Sequence, residues 1–146
     1  MLNSVSFRSI CPVATSLDII GDKWTLLILR DMIWGHKSLF NEFQTSPESM
    51  PSKMLANRLK KLEELGFVSK TKGNLNKKSV YYLLEKRGLD TFPMMVEMAV
   101  FSSKHFIDHL GATFTKEARS IMKTDREGYI SELVINYRKF KRNLVI

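Results

Sequence analysis

The chain has 146 residues, 44% of them hydrophobic, which suits one domain with a core of its own and an appended arm. Its single cysteine excludes an internal disulfide. No apolar run reaches the length of a membrane span or of a signal-peptide core, so a soluble cytoplasmic protein with no membrane partner is expected, and the net charge of +8 points to an anionic one.

Met1 to Ile10 is mixed in composition and reads as a loosely held arm. Cys11-Pro12-Val13 opens a short helix through Leu17, Ile19 and Ile20, which Gly21 ends. Asp22 can cap the next helix, Lys23 to Trp34. There Trp24, Leu26, Leu27, Ile28, Leu29, Met32 and Ile33 go nearly all the way round, so this helix is the expected centre of the core, with Gly35 closing it. Ser38 to Gln44 is a short helix with Ser38 as a cap and Phe40 and Phe43 as its buried side, and Thr45 to Ser49 is a turn.

Pro51 to Gly66 carries the most information. Leu55, Leu59 and Leu62 recur at i, i+4, i+7 and form an apolar stripe, with Met54 and Leu65 at its edge. Lys53, Asn57, Lys60 and Glu64 fall on the opposite side, flanked by Ser52, Ala56 and Lys61. Pro51 suits a first turn and Gly66 a stop. Two β-favouring runs follow, Phe67 to Lys72 and Ser79 to Leu84, around the polar turn Gly73 to Lys78. A short helix, a turn, a polar-faced helix and a basic hairpin are the order of a winged helix-turn-helix. Residues 51–88 hold ten Lys and Arg against three Glu, net +7, whereas residues 1–50 carry −1 and 89–114 carry −2. One surface, rather than the whole chain, is therefore built for a polyanion.

Thr91 to Leu110 reads as one long helix rich in Met and Phe, of the kind used for association. From Thr115 a second amphipathic helical segment has Ile130, Leu133, Val134, Tyr137 and Phe140 on its apolar side and Arg138, Lys139, Lys141 and Arg142 near its end. Gly111-Ala112-Thr113 is the only weak break.

On the polar helix face, Asn57 can pair with an adenine edge, and Lys53 or Lys60 can reach guanine or phosphate. Arg58 lies nearer the apolar stripe, which leaves it two readings: a stem packed on the core with its head on a carboxylate or phosphate, or base readout. Lys70, Lys72, Lys77 and Lys78 are candidates for phosphate contact, or an ordinary solvated hairpin. His105 and His109 stand at i, i+4 but have no third ligand, so no metal site is assigned and no cofactor is expected. No Gly-rich phosphate loop, HExxH, GxSxG or paired-carboxylate pattern appears, which leaves an enzyme reading without residues.

CPVATSLDIIGDKWTLLILRDMIWG from Cys11, SLFNEF from Ser38, SKMLANRLKKLEELGFV from Ser52 and VYYLLEKRG from Val80 together resemble the HxlR-type winged helix-turn-helix transcriptional regulators, over about Cys11 to Phe101. The resemblance implies a bacterial, homodimeric, DNA-binding protein. It implies that Ser52, Lys53, Asn57 and their neighbours Arg58, Lys60 and Lys61 enter a major groove while the loop Gly73 to Ser79 follows the backbone. Some members use the cysteine matching Cys11 to sense oxidants or electrophiles. The alternative for Cys11 is an unreactive packing residue. Arg8 and Lys23 are the sequence neighbours able to favour its thiolate. The chain departs from the family at Leu39, Pro51, Lys77-Lys78-Ser79, Tyr81 and Glu85.

The expected architecture is mainly α with a small β-hairpin wing: a winged helix-turn-helix with N- and C-terminal dimerisation helices. Residues 1–112 form the domain and 113–146 a C-terminal helical extension. The expected function is a sequence-specific regulator acting as a homodimer on an inverted repeat in double-stranded DNA. Two other classes remain: a nonspecific architectural protein, and an interaction module that uses the basic C-terminal helix.

Overall fold

The computed structural model describes residues 5–73, 76–111 and 116–145. Asn74 and Leu75 of the expected wing tip, Ala112 and Thr113 of the expected break, and the first four residues of the arm lie outside that set. Among the described residues the order is α1 (Pro12–Ile20), α2 (Lys23–Gly35), α3 (Phe40–Phe43), α4 (Ser52–Glu64), β1 (Val68–Lys72), β2 (Val80–Leu84), α5 (Lys86–Leu89), α6 (Phe92–His105), α7 (Lys116–Thr124) and α8 (Arg126–Val145). The mainly helical chain with one antiparallel hairpin is a winged helix-turn-helix.

Helix α2 is the central element. Asp22 caps it by accepting the N–H groups of Trp24 and Thr25. Ile28, Leu29, Met32 and Ile33 are buried, and Trp24, Leu26, Leu27 and Trp34 pack half-buried against the same core. Leu55, Leu59 and Leu62 seat α4 in that core, as their spacing requires. After α4, Gly66 turns left-handed (φ 77°), its N–H bonds Glu63 O, and the Phe67 N–H reaches back to Leu62 O. Those two bonds close the end of α4 and aim the chain into β1.

Several boundaries differ from the sequence reading. The left-handed residue that ends α2 is His36 (φ 48°), not Gly35; its ring stacks on Phe140 at 4.8 Å and meets the edge of Tyr137 at 5.8 Å. Tertiary ring packing holds a conformation that local preference assigns to glycine. Ser38 does not cap α3. Instead the Glu42 carboxylate accepts the N–H groups of Ser38 (2.7 Å) and Leu39 (2.9 Å), and Ser38 O accepts from Tyr82 N of β2. Helix α6 stops at His105 because Phe106 leaves the helical path (φ −132°, ψ 31°). His109 is therefore not one turn above His105, and the i, i+4 ligand spacing does not exist in space. The C-terminal segment is two helices, broken at Asp125, whose carboxylate accepts the Gly128 N–H.

Helix α8 is part of the fold's interior. Ile130, Leu133, Val134 and Phe140 pack against the core, and Tyr137 is wholly buried. In β2, alternate backbone groups face away from β1, a free edge that must find partners. Ser38 O takes the Tyr82 N–H, the Tyr137 hydroxyl takes the Leu84 N–H at 2.8 Å, and Lys141 Nζ donates to Leu84 O and to Glu85. Burial pushes the Tyr137 phenol up to about 12, so it stays neutral in this role. Tyr137→Phe leaves the buried Leu84 N–H without its acceptor. A destabilisation of about 1–3 kcal/mol is expected, read as a lowered midpoint in chemical denaturation; an unchanged midpoint would show that the bond adds nothing.

Candidate nucleic-acid interface

With the leucine stripe committed to α2, the remaining face of α4 is settled by helical periodicity. Lys53, Asn57 and Lys60, again at i, i+4, i+7, are all exposed. Ser52 is exposed at the start of the same helix and its hydroxyl accepts from Gln44 Nε2 at 2.7 Å, which ties α4 to the end of α3.

The other two basic residues of α4 are partly buried. Arg58 is mostly covered, with Nε 2.7 Å from Asp22 Oδ2 and Nη1 donating to Asn57 Oδ1 at 2.6 Å. That is the packed-stem, carboxylate-bound arrangement of the two its wheel position allows. Burial draws the Asp22 carboxyl upward, but the hydrogen bonds from Thr25 and the charge of Arg58 outweigh it, so the group stays below its ordinary value and is ionised. Lys61 is half-buried toward α1. The Arg8 backbone N–H chiefly, with the charges of Arg8 and Lys61, lowers the Asp18 carboxyl there.

The turn before α4 is anchored by residues that the sequence reading passed over. Asp31 stands on the largely apolar α2, only 7% exposed. Its carboxylate accepts from the Ser46 hydroxyl, from Lys37 Nζ (3.2 Å) and from Arg30 (2.8 Å). Arg30 also grips Glu48 in the same turn, at 2.6 and 2.7 Å. The Arg30 bonds hold the Glu48 carboxyl below its usual range. The signal in the sequence was an aspartate inside an apolar helix, which must find partners.

The wing stands beside α4. On β1 the exposed Lys70 and Lys72 share one face, opposite Tyr82 and Val80 of β2, and Lys70 Nζ lies 5.8 Å from the Tyr82 ring centre. Lys77 and Lys78 are exposed in the turn at the tip. Asn41, Lys70, Lys78 and Ser79 border a groove between α3 and the wing, floored by Leu39, Phe40 and Tyr82. Two polar surfaces thus lie on neighbouring elements: a helix face carrying hydrogen-bonding side chains, and a hairpin carrying point charges.

Cys11 is exposed at the start of α1, apart from this interface in the chain, and its N–H donates to Ser9 Oγ at 3.3 Å. Of its two sequence neighbours, Arg8 binds Asp18 at 2.6 Å and Lys23 sits over the Trp24 ring at 5.0 Å. Among the described residues no group of three or more His, Cys, Asp or Glu could hold a metal ion, and no helix is long and apolar enough to cross a membrane.

Residues 19–109 match the family described as HxlR-like helix-turn-helix. The uncharacterized HTH-type transcriptional regulator YdeP of Bacillus subtilis (strain 168) is 34% identical over 95 residues, 65% of this chain and 73% of YdeP. The fold is similar to the crystal structure of PA1607, with TM-score 0.62 and 30% identity, covering 74% of this chain and 72% of that one. It is similar also to the redox regulator HypR in its oxidized form, with TM-score 0.57 and 30% identity, covering 65% of this chain and 97% of HypR. The chain belongs to the HxlR-like helix-turn-helix family of transcriptional regulators.

Proposed function

We propose that the protein binds double-stranded DNA sequence-specifically as a homodimer, in the cytoplasm, on an inverted repeat. The observation that carries this reading is the exposed row Lys53, Asn57, Lys60 on a helix whose other face is fully buried, beside a basic wing. That row suits a major groove, with Ser52 at its entry. Lys70, Lys72, Lys77 and Lys78 suit backbone phosphates, which position the protein without reading sequence. Arg58 supports the helix from its flank through Asp22.

Exposed apolar residues support the dimer. Ile10, Val13 and Leu17 stand out from the N-terminal region, and Met98, Phe101 and Phe106 from α6 and its end. Exposed apolar surface on this scale fits burial against a second copy. A twofold dimer carries two α4 helices, which fits half-sites about one helical turn apart.

Replacing Asn57 with Ala is expected to weaken binding to the cognate site by about 1–3 kcal/mol and to relax preference at one base position. Titrations on cognate and random DNA measure this; equal losses on both would refute the base contact. Replacing Lys77 and Lys78 together with Ala is expected to flatten the slope of log K against log salt by up to about two per subunit, with sequence preference kept. An unchanged slope would leave these lysines as solvated surface.

Exposure of Cys11 at the start of α1, together with the likeness to a redox regulator, supports Cys11 as the signal-receiving residue. With one cysteine per chain, oxidation joins two chains or adds a small thiol. Mild peroxide or a quinone is expected to change DNA binding of the wild type and not of Cys11→Ser. Equal responses, or none, would refute Cys11 as the signal-receiving residue.

A further inference from the structure

Asp22 divides its two oxygens. Oδ1 accepts the N–H groups of Trp24 (2.8 Å) and Thr25 (3.1 Å) and so caps α2. Oδ2 accepts the Thr25 hydroxyl (2.6 Å) and Arg58 Nε (2.7 Å). Arg58 then passes the constraint on, donating from Nη1 to Asn57 Oδ1 at 2.6 Å. A guanidinium has donors only, so the carboxamide atom that faces it must be the oxygen. The amide nitrogen of Asn57, with its two hydrogens, is thereby the end turned away from Arg58.

We infer that Arg58, anchored on Asp22, is a positioning residue that fixes the Asn57 carboxamide with its donor toward the groove, and that this excludes cytosine on the strand Asn57 faces. The inference rests on the base contact proposed above for Asn57. In the major groove adenine and guanine offer N7, guanine also O6, and thymine O4, all acceptors for that donor. Cytosine offers only its N4 amino group, itself a donor. A carboxamide free to turn over would accept from that amino group. Asn57 is not free, because turning over would set its amino group against the Arg58 guanidinium.

The test substitutes all four bases at the position where Asn57→Ala relaxes preference, and measures binding of the full chain as wild type, Arg58→Met and Asp22→Asn. Asparagine at 22 keeps an oxygen for the α2 cap and places an amino group against Arg58 Nε. The ratio between bases is read within each variant, so a loss of overall affinity cancels. Wild type is expected to bind the cytosine site about ten-fold or more weaker than the best base, and both variants to reduce that ratio to about two-fold. If Arg58→Met does not fold, as judged by thermal melting, Asp22→Asn decides. Undiminished exclusion of cytosine in the folded variants, with Asn57→Ala still relaxing the position, overturns the inference and leaves the base contact standing. A wild type that accepts cytosine there overturns it too. If Asn57→Ala changes no position, the base contact itself fails and the inference falls with it.

Discussion

The seating of α4 on α2 is the constraint on which the rest depends. Leu55, Leu59 and Leu62 are buried completely or almost so. Each such side chain contributes on the order of 1.5–3 kcal/mol, whereas a partly exposed ion pair such as Arg58–Asp22 contributes about 0–1 kcal/mol. Apolar burial therefore decides which face of α4 points inward. The ion pairs fix finer matters of rotation and turn shape. Asp22 holds the flank of α4 through Arg58, and Asp31 holds the turn before it through Ser46. Both carboxylates belong to α2 or its cap, so a single helix carries the floor of the interface and its two polar anchors.

The C-terminal helix extends that logic beyond the part of the chain that matches the family. Tyr137 and Lys141 satisfy the outward edge of β2 at its base. Trp34 donates to the Tyr129 hydroxyl at 2.9 Å, and Arg126 pairs with Glu97 of α6 at 2.6 Å. Helix α8 thus touches the end of α2, the root of the wing and α6 together. The root of the wing is thereby clamped at Leu84.

Much of this was legible in the sequence where the physics is local. The leucine period in residues 55–62, the Asp22 cap, the Gly66 stop and the apolar side of the last helix all stand where periodicity and capping chemistry place them. What was missed depends on contacts across the chain. Nothing local announces that His36 is held by Phe140, about a hundred positions on, or that Asp31 meets Ser46. The end of α6 was misplaced because Lys104 to Leu110 contains no glycine or proline to mark it. The break at Asp125 did carry a signature, an aspartate three residues before a glycine, hidden inside a longer amphipathic run. In the interface, the row Lys53, Asn57, Lys60 follows from spacing alone, while the place of Arg58 required knowing that Asp22 stands beside it.

The central claim is that two copies of the α4 face read one duplex. Hydroxyl-radical footprinting of the full chain, on a site recovered from random DNA, measures this most directly. The account predicts two protected patches related by twofold symmetry, their centres about one helical turn apart, near 34 Å, over an inverted repeat. A single protected patch, or protection that spreads evenly whatever the sequence, would contradict it.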